Sequence, residues 1–196
     1  MTTYTNAFES ALSHVMLYEV GGWWKLTPEV QAGLCNTAAQ KRAVGYANDP
    51  TDAGGETKFG VAKNANPDLD IWGLDWDGAK AVYYKRYWIP GACDKLSPRL
   101  SVLHFDGCVN HGVKKAGIFL QEAIGADADG AIGPGTLAIL SSKDELSTCI
   151  KISERREQFY RDIVSAKPAQ AKYLAGWLRR ISEIKAFVLD KNSSFE

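Results

Sequence analysis

The sequence predicts a mainly α fold that is interrupted once by an irregular glycine-rich loop. Apolar residues recur at the spacing of one helix face through most of the chain. Helix-start signals such as Ser97-Pro98 lie between these segments, whereas turn residues crowd together at residues 48–60. With 196 residues, 45% of them hydrophobic, the chain can bury one core or build two closely packed lobes.

The first predicted helix ends at Glu19 and begins near Asn6, which has capping-box spacing to Glu9. Its apolar face consists of Phe8, Ala11, Leu12 and Val15. Glu19 extends this face by one turn, and Gly21-Gly22 then ends the helix. A carboxyl group on the apolar face at the end of a helix is a candidate general acid. The same pattern also fits a helix-terminal glutamate that faces solvent.

Residues 25–48 open with the helix-start signal Thr27-Pro28-Glu29. Four apolar residues in this segment predict one short helix: Val30, Leu34, Ala38 and Ala39. We expect the segment to lie on the surface and to supply no catalytic group. The loop that follows it brings the polar residues Asp52, Glu56 and Thr57 into one short stretch.

Trp72 and Trp76 lie in the next predicted loop. Exposed beside a site they would stack on sugar rings, and buried they would fill the core; both interpretations stay open. Asp75 or Asp77 is expected to cap a helix that ends near Trp88. The aromatic residues of this helix are expected to lie mostly in the core; they are Tyr83, Tyr84, Tyr87 and Trp88.

The second half of the chain is predicted to be helical. Ser97 is expected to cap a helix over residues 99–110, on which Asp106 and Asn110 lie one turn apart. Further helices are predicted at residues 114–124, from the start signal at residues 133–136 to about residue 140, at 144–164 and at 169–189. The stretch between the first two of these, Asp127 to Gly130, lacks the ligand spacing of a calcium loop and is expected to be a turn.

No metal site and no cofactor are expected. His104 and His111 lie outside any HxH or HExxH spacing, and the sequence contains no CxxC. The cysteines are widely spaced, at Cys35, Cys93, Cys108 and Cys149. We expect them to be reduced and partly buried, with disulfide formation in the periplasm as the alternative.

The charge of the chain gives no sign of a polyanionic partner. The formal net charge is +0 and the pI is about 6.8, which predicts no general attraction to nucleic acid or to an anionic membrane. The first residues lack the basic and apolar regions of a signal peptide, and no stretch has the apolar length that a membrane span needs.

Several motifs together resemble the signature of glycoside hydrolase family 108. The first two are Glu19-Val20-Gly21-Gly22-Trp23 and DPTDAGGETKFG at residues 49–60. Those that follow, in the order of the family, are AKAVYYKRYW at residues 79–88, FDGCVNHG at 105–112, DGAIGPGT at 129–136 and GWLRR at 176–180. The last three resemble the predicted peptidoglycan-binding half of that family. Residues 25–48 and Val20 are departures, since the family places the first two motifs almost end to end.

The resemblance implies a lysozyme-like fold with a small irregular or β-hairpin element in the glycine-rich loop. It implies a glycoside hydrolase lobe at residues 1–95 and a helical peptidoglycan-binding half at residues 96–196, packed as one compact unit. The implied reaction is that of an N-acetylmuramidase, which cleaves the β-1,4 bond between N-acetylmuramic acid and N-acetylglucosamine.

The resemblance also assigns roles to residues. Glu19 is the expected general acid, Asp52 the ionised second carboxylate and Thr57 the residue that positions water. Asp49 and Glu56 compete with Asp52 for its role. The residues expected to contact the glycan are Trp23, Gly54, Gly55, Tyr87 and Asn110.

The family includes phage and prophage endolysins, which are made in the host cytoplasm and act on the cell wall. The expected partners are therefore peptidoglycan strands and a holin, or injection or secretion machinery that gives access to the wall; the chain is expected to be a monomer. A lytic transglycosylase and a non-catalytic peptidoglycan-binding protein stay open as alternatives. The stereochemistry, inverting or retaining, depends on a carboxylate separation that the sequence does not give.

Overall fold

The computed structural model describes residues 3–20, 25–33, 35, 37–49, 54–193 and 195. This part of the chain is mainly helical, and its β-structure is a small antiparallel hairpin. The predicted mainly α, lysozyme-like fold with a hairpin in the glycine-rich loop is confirmed. None of the described helices has both the length and the apolar character that crossing a membrane needs.

The elements follow one another along the chain as helices, a hairpin and further helices. The helices are α1 (Asn6–Glu19), α2 (Pro28–Gln31), α3 (Ala38–Ala43), α4 (Trp76–Tyr83), α5 (Pro98–His111), α6 (Val113–Ile124), α7 (Pro134–Leu140), α8 (Glu145–Ala166) and α9 (Ala171–Leu189). The strands β1 (Thr57–Lys58) and β2 (Val61–Ala62) lie between α3 and α4. A π-helical turn at Tyr84–Trp88 continues α4.

Helix α1 ends at Glu19, as predicted, and its apolar face is buried. Its cap is Thr5 and not Asn6, because the Phe8 amide donates to Thr5 Oγ1 at 3.2 Å. Either residue type caps a helix well. With Thr5 in that position, Asn6 becomes the first helical residue, and the capping prediction is wrong by one residue.

Residues 25–48 form two short helices where one was predicted. Helix α2 follows the Thr27 cap with Pro28 in its first turn, as expected. Helix α3 has its own capping box: the Gln40 amide donates to Thr37 Oγ1 at 3.2 Å, and Gln40 Oε1 accepts from the Thr37 amide at 3.0 Å. This second start signal divides the segment. Leu34, which supported the prediction of one helix, lies outside the described residues.

The described chain divides into two compact units. The larger contains Met1–Ala11 and Tyr87–Glu196, and the smaller contains Leu12–Arg86. The predicted functional division between residues 95 and 96 stays a prediction.

In the larger unit, α5 packs against α6, α8 and α9 and is the central helix. It begins after Ser97 with Pro98 in its first turn, as predicted, but the Ser97 side chain makes no capping hydrogen bond. The rings of Phe8, Trp88 and Phe105 pack together. The centroid distances are 5.2 Å from Phe8 to Trp88, 5.5 Å from Trp88 to Phe105 and 5.7 Å from Phe8 to Phe105. In the smaller unit, Asp75 caps α4 as predicted, since its Oδ1 atom accepts from the Gly78 amide at 2.7 Å.

Candidate active site

The hairpin of the smaller unit is built around a tight two-residue turn. Strand β1 pairs antiparallel with β2, with Thr57 opposite Ala62 and Lys58 opposite Val61. The turn residues Phe59 and Gly60 both have positive φ, +53° and +73°. Positive φ at both central positions is typical of the type I′ turn, whose twist matches that of the flanking strands.

Phe59 is held in this uncommon conformation from several sides. Its amide donates to the Val44 carbonyl at 2.9 Å, and its carbonyl accepts from the Tyr83 hydroxyl at 3.0 Å. Its ring is fully buried, with its centroid 5.7 Å from that of Trp76. A bulky residue rarely adopts positive φ, and these contacts offset that cost.

Glu19 lies against this turn. A Cβ atom placed on Gly60 would lie 3.3 Å from Glu19 Oε2, 3.2 Å from Glu19 Cβ and 2.5 Å from Tyr83 Oη. Gly60 is therefore required both by its φ and by the space around it. Gly60 is exposed and Glu19 is half-buried, so the carboxylate lies at the border between the packed end of α1 and solvent. A proton donor needs both this support and this access.

Thr57 and Gly55 are joined by a hydrogen bond within the glycine-rich loop. The Thr57 backbone exchanges two hydrogen bonds with Ala47, at 2.8 and 2.9 Å, and its hydroxyl donates to the Gly55 carbonyl at 3.1 Å. Gly55 has φ of +68°, and a Cβ atom there would lie 3.3 Å from Asn64 Oδ1. The Asn64 amide also donates to the Gly54 carbonyl at 3.2 Å. The described end of the glycine-rich loop is thus firmly braced.

These contacts give the end of residues 25–48 a supporting role that was not predicted. The Val44 side chain is fully buried, its carbonyl anchors the hairpin turn, and Ala47 pairs with Thr57. The end of the segment therefore also supports the hairpin, although most of the described residues of the segment are exposed or half-buried. The sequence did not predict this support. A single β-bridge residue such as Ala47 does not produce the alternation of apolar and polar residues that indicates a strand.

The competing carboxylates have different surroundings. Glu56 Oε1 accepts a hydrogen bond from the Tyr46 hydroxyl at 2.9 Å. Asp49 is exposed. Asp52 and Trp23 lie outside the described residues, so their roles stay predictions.

Trp72 is an exposed aromatic residue of the smaller unit. Its side chain is 53% exposed, which excludes the core-filling interpretation for this tryptophan. Lys41 Nζ lies 3.0 Å from the centroid of its ring, and the Tyr46 ring meets it edge-on with centroids 5.0 Å apart. Trp76, in contrast, is half-buried against Phe59.

The remaining predicted site residues, Tyr87 and Asn110, belong to the larger unit. Tyr87 lies half-buried in the π-helical turn, and Asn110 hydrogen-bonds to Tyr160. Their contact with a glycan stays a prediction.

A buried cluster of charged side chains, which the sequence did not predict, lies one turn before Asn110. Asp106 accepts from Arg156 Nη2 at 2.5 Å and from Arg180 Nε at 3.0 Å. Burial by itself raises the pKa of Asp106, but the charges of Arg156 and Arg180 outweigh it and hold that pKa below its ordinary value. Its partners are 50 and 74 residues away in sequence, which no local pattern reveals.

His111 lies beside the same cluster. Its Nε2 atom accepts a hydrogen bond from Arg156 Nε at 3.2 Å, and its ring contacts Phe119, Phe159 and Tyr160. Burial, followed by the positive charge of Arg156, lowers the pKa of His111 to about 3. His111 is therefore neutral in the folded protein at neutral pH.

Comparison with known proteins defines the class of this chain. Residues 38–112 match the family model described as Glycosyl hydrolase 108, and residues 115–182 match the model described as Predicted Peptidoglycan domain. Residues 38–112 therefore belong to the glycosyl hydrolase 108 family, and the two matches in this order support a glycoside hydrolase that acts on peptidoglycan. The matched segments contain the glycine-rich loop, the hairpin, Tyr87 and Asn110, whereas Glu19 lies before the first of them.

The fold is also found among solved structures. SagA of Brucella abortus matches with a TM-score of 0.62 and 22% sequence identity, over 88% of this chain and 99% of that chain. At this identity the similarity concerns the fold. A search of curated protein sequences gave no significant match.

Proposed function

We propose that this protein is an N-acetylmuramidase that hydrolyses the β-1,4 bond between N-acetylmuramic acid and N-acetylglucosamine in peptidoglycan. The observation that carries the proposal is the position of Glu19 against the exposed Gly60 at the hairpin turn. Membership of the glycosyl hydrolase 108 family supports both the bond type and the polymer.

Glu19 is the general acid of the proposed mechanism. It donates a proton to the glycosidic oxygen while the bond breaks through an oxocarbenium-like state. Because Gly60 has no side chain, a sugar ring can approach the Glu19 carboxyl group over the turn. Asp52 stays ionised, stabilises the positive charge and helps to activate water.

Thr57 positions the attacking water. Its hydroxyl donates its own hydrogen to the Gly55 carbonyl at 3.1 Å, which leaves the oxygen lone pairs as acceptors. A water molecule that donates to Thr57 is thereby oriented towards the reacting carbon. The two backbone hydrogen bonds between Thr57 and Ala47 fix the residue that holds this water.

The glycan is bound by the loop and by aromatic side chains. Gly54 and Gly55 let the glycan strand approach the protein backbone closely. The other residues that contact sugars are Trp23, Tyr87 and Asn110. The exposed Trp72, with its ring steadied by Lys41 and Tyr46, adds a surface on which a sugar ring stacks.

The biological role that we propose is cell lysis by a phage or prophage endolysin. The protein acts on the wall as a monomer, and a holin, or injection or secretion machinery, gives it access. This part of the proposal is supported by the family resemblance.

The test is mass spectrometry of muropeptides released from purified peptidoglycan. The proposal predicts new reducing ends on muramic acid and intact peptide stems. Products lighter by one water, with 1,6-anhydro-muramyl ends, would identify a lytic transglycosylase. Reducing ends on glucosamine, or new free amino groups, would assign a different bond, and binding without products would identify a non-catalytic wall-binding protein.

A further inference from the structure

Three donor side chains converge in the larger unit, beside Gly91. Cys93 opens the 3₁₀ turn Cys93–Lys95, and His104 and Cys108 lie four residues apart on one face of α5. One ligand atom from each lies within 4.8 Å of those of the other two. The three residues are 1%, 1% and 0% exposed, respectively.

Gly91 makes this convergence possible. A Cβ atom at Gly91 would lie 2.8 Å from Cys108 Sγ and 3.2 Å from Cys93 Sγ. Any larger residue would therefore separate the two sulfur atoms or displace them. Ala92, which follows, has φ of +53° and turns the chain so that Cys93 faces α5.

His104 is oriented as a ligand. Its Nε2 atom lies 3.1 Å from the Gly91 carbonyl oxygen, which can only accept, so Nε2 carries the proton and donates. Nδ1 is then the ring atom with a lone pair; it is buried on the side of the Cys108 thiol, and no hydrogen bond of good geometry satisfies it among the described residues. A buried polar atom left in this state costs free energy. Histidines that bind metals commonly donate their other ring N–H to a backbone carbonyl in this way.

We propose that Cys93, His104 and Cys108 form a binding site for a thiophilic d¹⁰ cation, Cu⁺ or Zn²⁺. Two thiolates and an imidazole are the donors that both ions prefer. Each thiol releases its proton to solvent when the metal–sulfur bond forms, and no electron is transferred. Three buried protein donors complete the coordination of Cu⁺, whereas Zn²⁺ takes a fourth donor.

The role of the site is structural. It joins the turn that follows Gly91 to the central helix α5, and it gives the His104 Nδ1 lone pair a metal to bind. The donors belong to the larger unit and take no part in the proton transfer assigned to Glu19, so the proposal is independent of the muramidase activity.

The test is titration of the reduced full-length protein under anaerobic conditions, with Zn²⁺ in one series and Cu⁺ in the other. We expect one equivalent of at least one ion to bind per chain and to raise the thermal unfolding midpoint. Cys93→Ser and Cys108→Ser should each weaken metal binding at least about tenfold. Loss of a residue that only supports a metal ligand commonly costs about 10–100-fold in affinity, and each of these variants removes a ligand itself.

Cys149→Ser is the matched control. Cys149 is as deeply buried as Cys108 but lies on α8, outside the cluster, so this variant should bind as wild type does. If a cluster variant does not fold, alkylation mapping of the wild-type protein replaces it. Bound metal should protect Cys93 and Cys108, and not Cys149, from a thiol reagent under partly denaturing conditions.

Two results would overturn the proposal. One is that neither ion binds to the reduced protein. A disulfide between Cys93 and Cys108 in the oxidised protein would then explain why the two residues lie close together. The other is metal binding that Cys93→Ser and Cys149→Ser affect equally, since the ion would then lie elsewhere.

Discussion

Glu19 Oε2 lies 3.3 Å from the position that a Cβ atom on Gly60 would occupy. The end of α1 and the turn of the hairpin are therefore in direct contact, although Glu19 and Gly60 are 41 positions apart in the sequence. The Glu19 carboxyl group is supported by the packed end of α1, and the exposed Gly60 has no side chain that would cover it. With Glu19 as the proposed general acid, Gly60 is expected to matter for catalysis as well as for folding.

Gly60→Ala tests this expectation. The alanine would have to adopt positive φ, and its methyl group would overlap Tyr83 Oη. We therefore expect a loss of stability. We also expect slower wall lysis, because a 1 Å displacement of a reacting group can cost about a hundredfold in rate. The measurements are the thermal unfolding midpoint and the initial lysis rate.

Gly125→Ala is the control for backbone strain. Gly125 also has positive φ, +77°, but a Cβ atom there would meet nothing within 4 Å. It should cost about 1–2 kcal/mol, the general penalty of the left-handed conformation. Combining Gly60→Ala with Tyr83→Phe should recover part of the stability without restoring the lysis rate. Equal stability losses for Gly60→Ala and Gly125→Ala would contradict the close contact.

The sequence predicted the parts of this site that depend on local signals. The end of α1 at Glu19 and the Asp75 cap each follow from residues within a few positions of one another, whereas the hairpin was implied by the family resemblance. The contact between Glu19 and Gly60 does not, because it depends on how α1 packs. For the same reason, the support from Val44 and Ala47 was missed.

The cluster of Cys93, His104 and Cys108 was missed for a related reason. Metal motifs are recognised by fixed short spacings, whereas these donors come from a turn and a helix that tertiary packing brings together. The buried pair of Asp106 and Arg156 likewise joins α5 to α8. Periodicity shows that a helix face is buried, but it does not show which other face covers it.

Asp52 and Thr57 are expected to differ in their effects on lysis. Asp52→Asn removes a charge that stabilises the transition state, so its lysis rate should fall substantially, though less than that of Glu19→Gln. Thr57→Ala should have the smallest effect, because neighbouring groups can hold a water molecule imperfectly.

Thr57→Ser is the matched control, since it keeps the hydroxyl group that donates to Gly55. It should retain more activity than Thr57→Ala in the same lysis assay. An inactive Asp49→Asn together with an active Asp52→Asn would move the second carboxylate three residues upstream.

His111 should make the folded state sensitive to acid. Burial and the charge of Arg156 lower its pKa from 6.5 to about 3, so the unfolded chain binds a proton in this range that the folded chain does not. The stability that depends on neutral His111 is complete above the unfolded pKa and is lost as the pH falls from 6.5 towards 3. His111→Gln should flatten the fall of the unfolding midpoint over this range. Parallel curves for the variant and the wild type would show that His111 is not responsible.

The rate at which Glu19→Gln forms reducing muramic acid ends tests the central claim most directly. The substitution keeps the size of the side chain but removes the transferable proton, and Glu122→Gln, on the exposed face of α6, is the matched control. We predict that Glu19→Gln, folded as wild type by circular dichroism, forms these ends at least about a hundredfold more slowly, the lower end of general-acid catalysis. Glu122→Gln should match the wild type. A folded Glu19→Gln variant within about tenfold of the wild-type rate would fall short of that magnitude and contradict the assignment of Glu19 as the general acid.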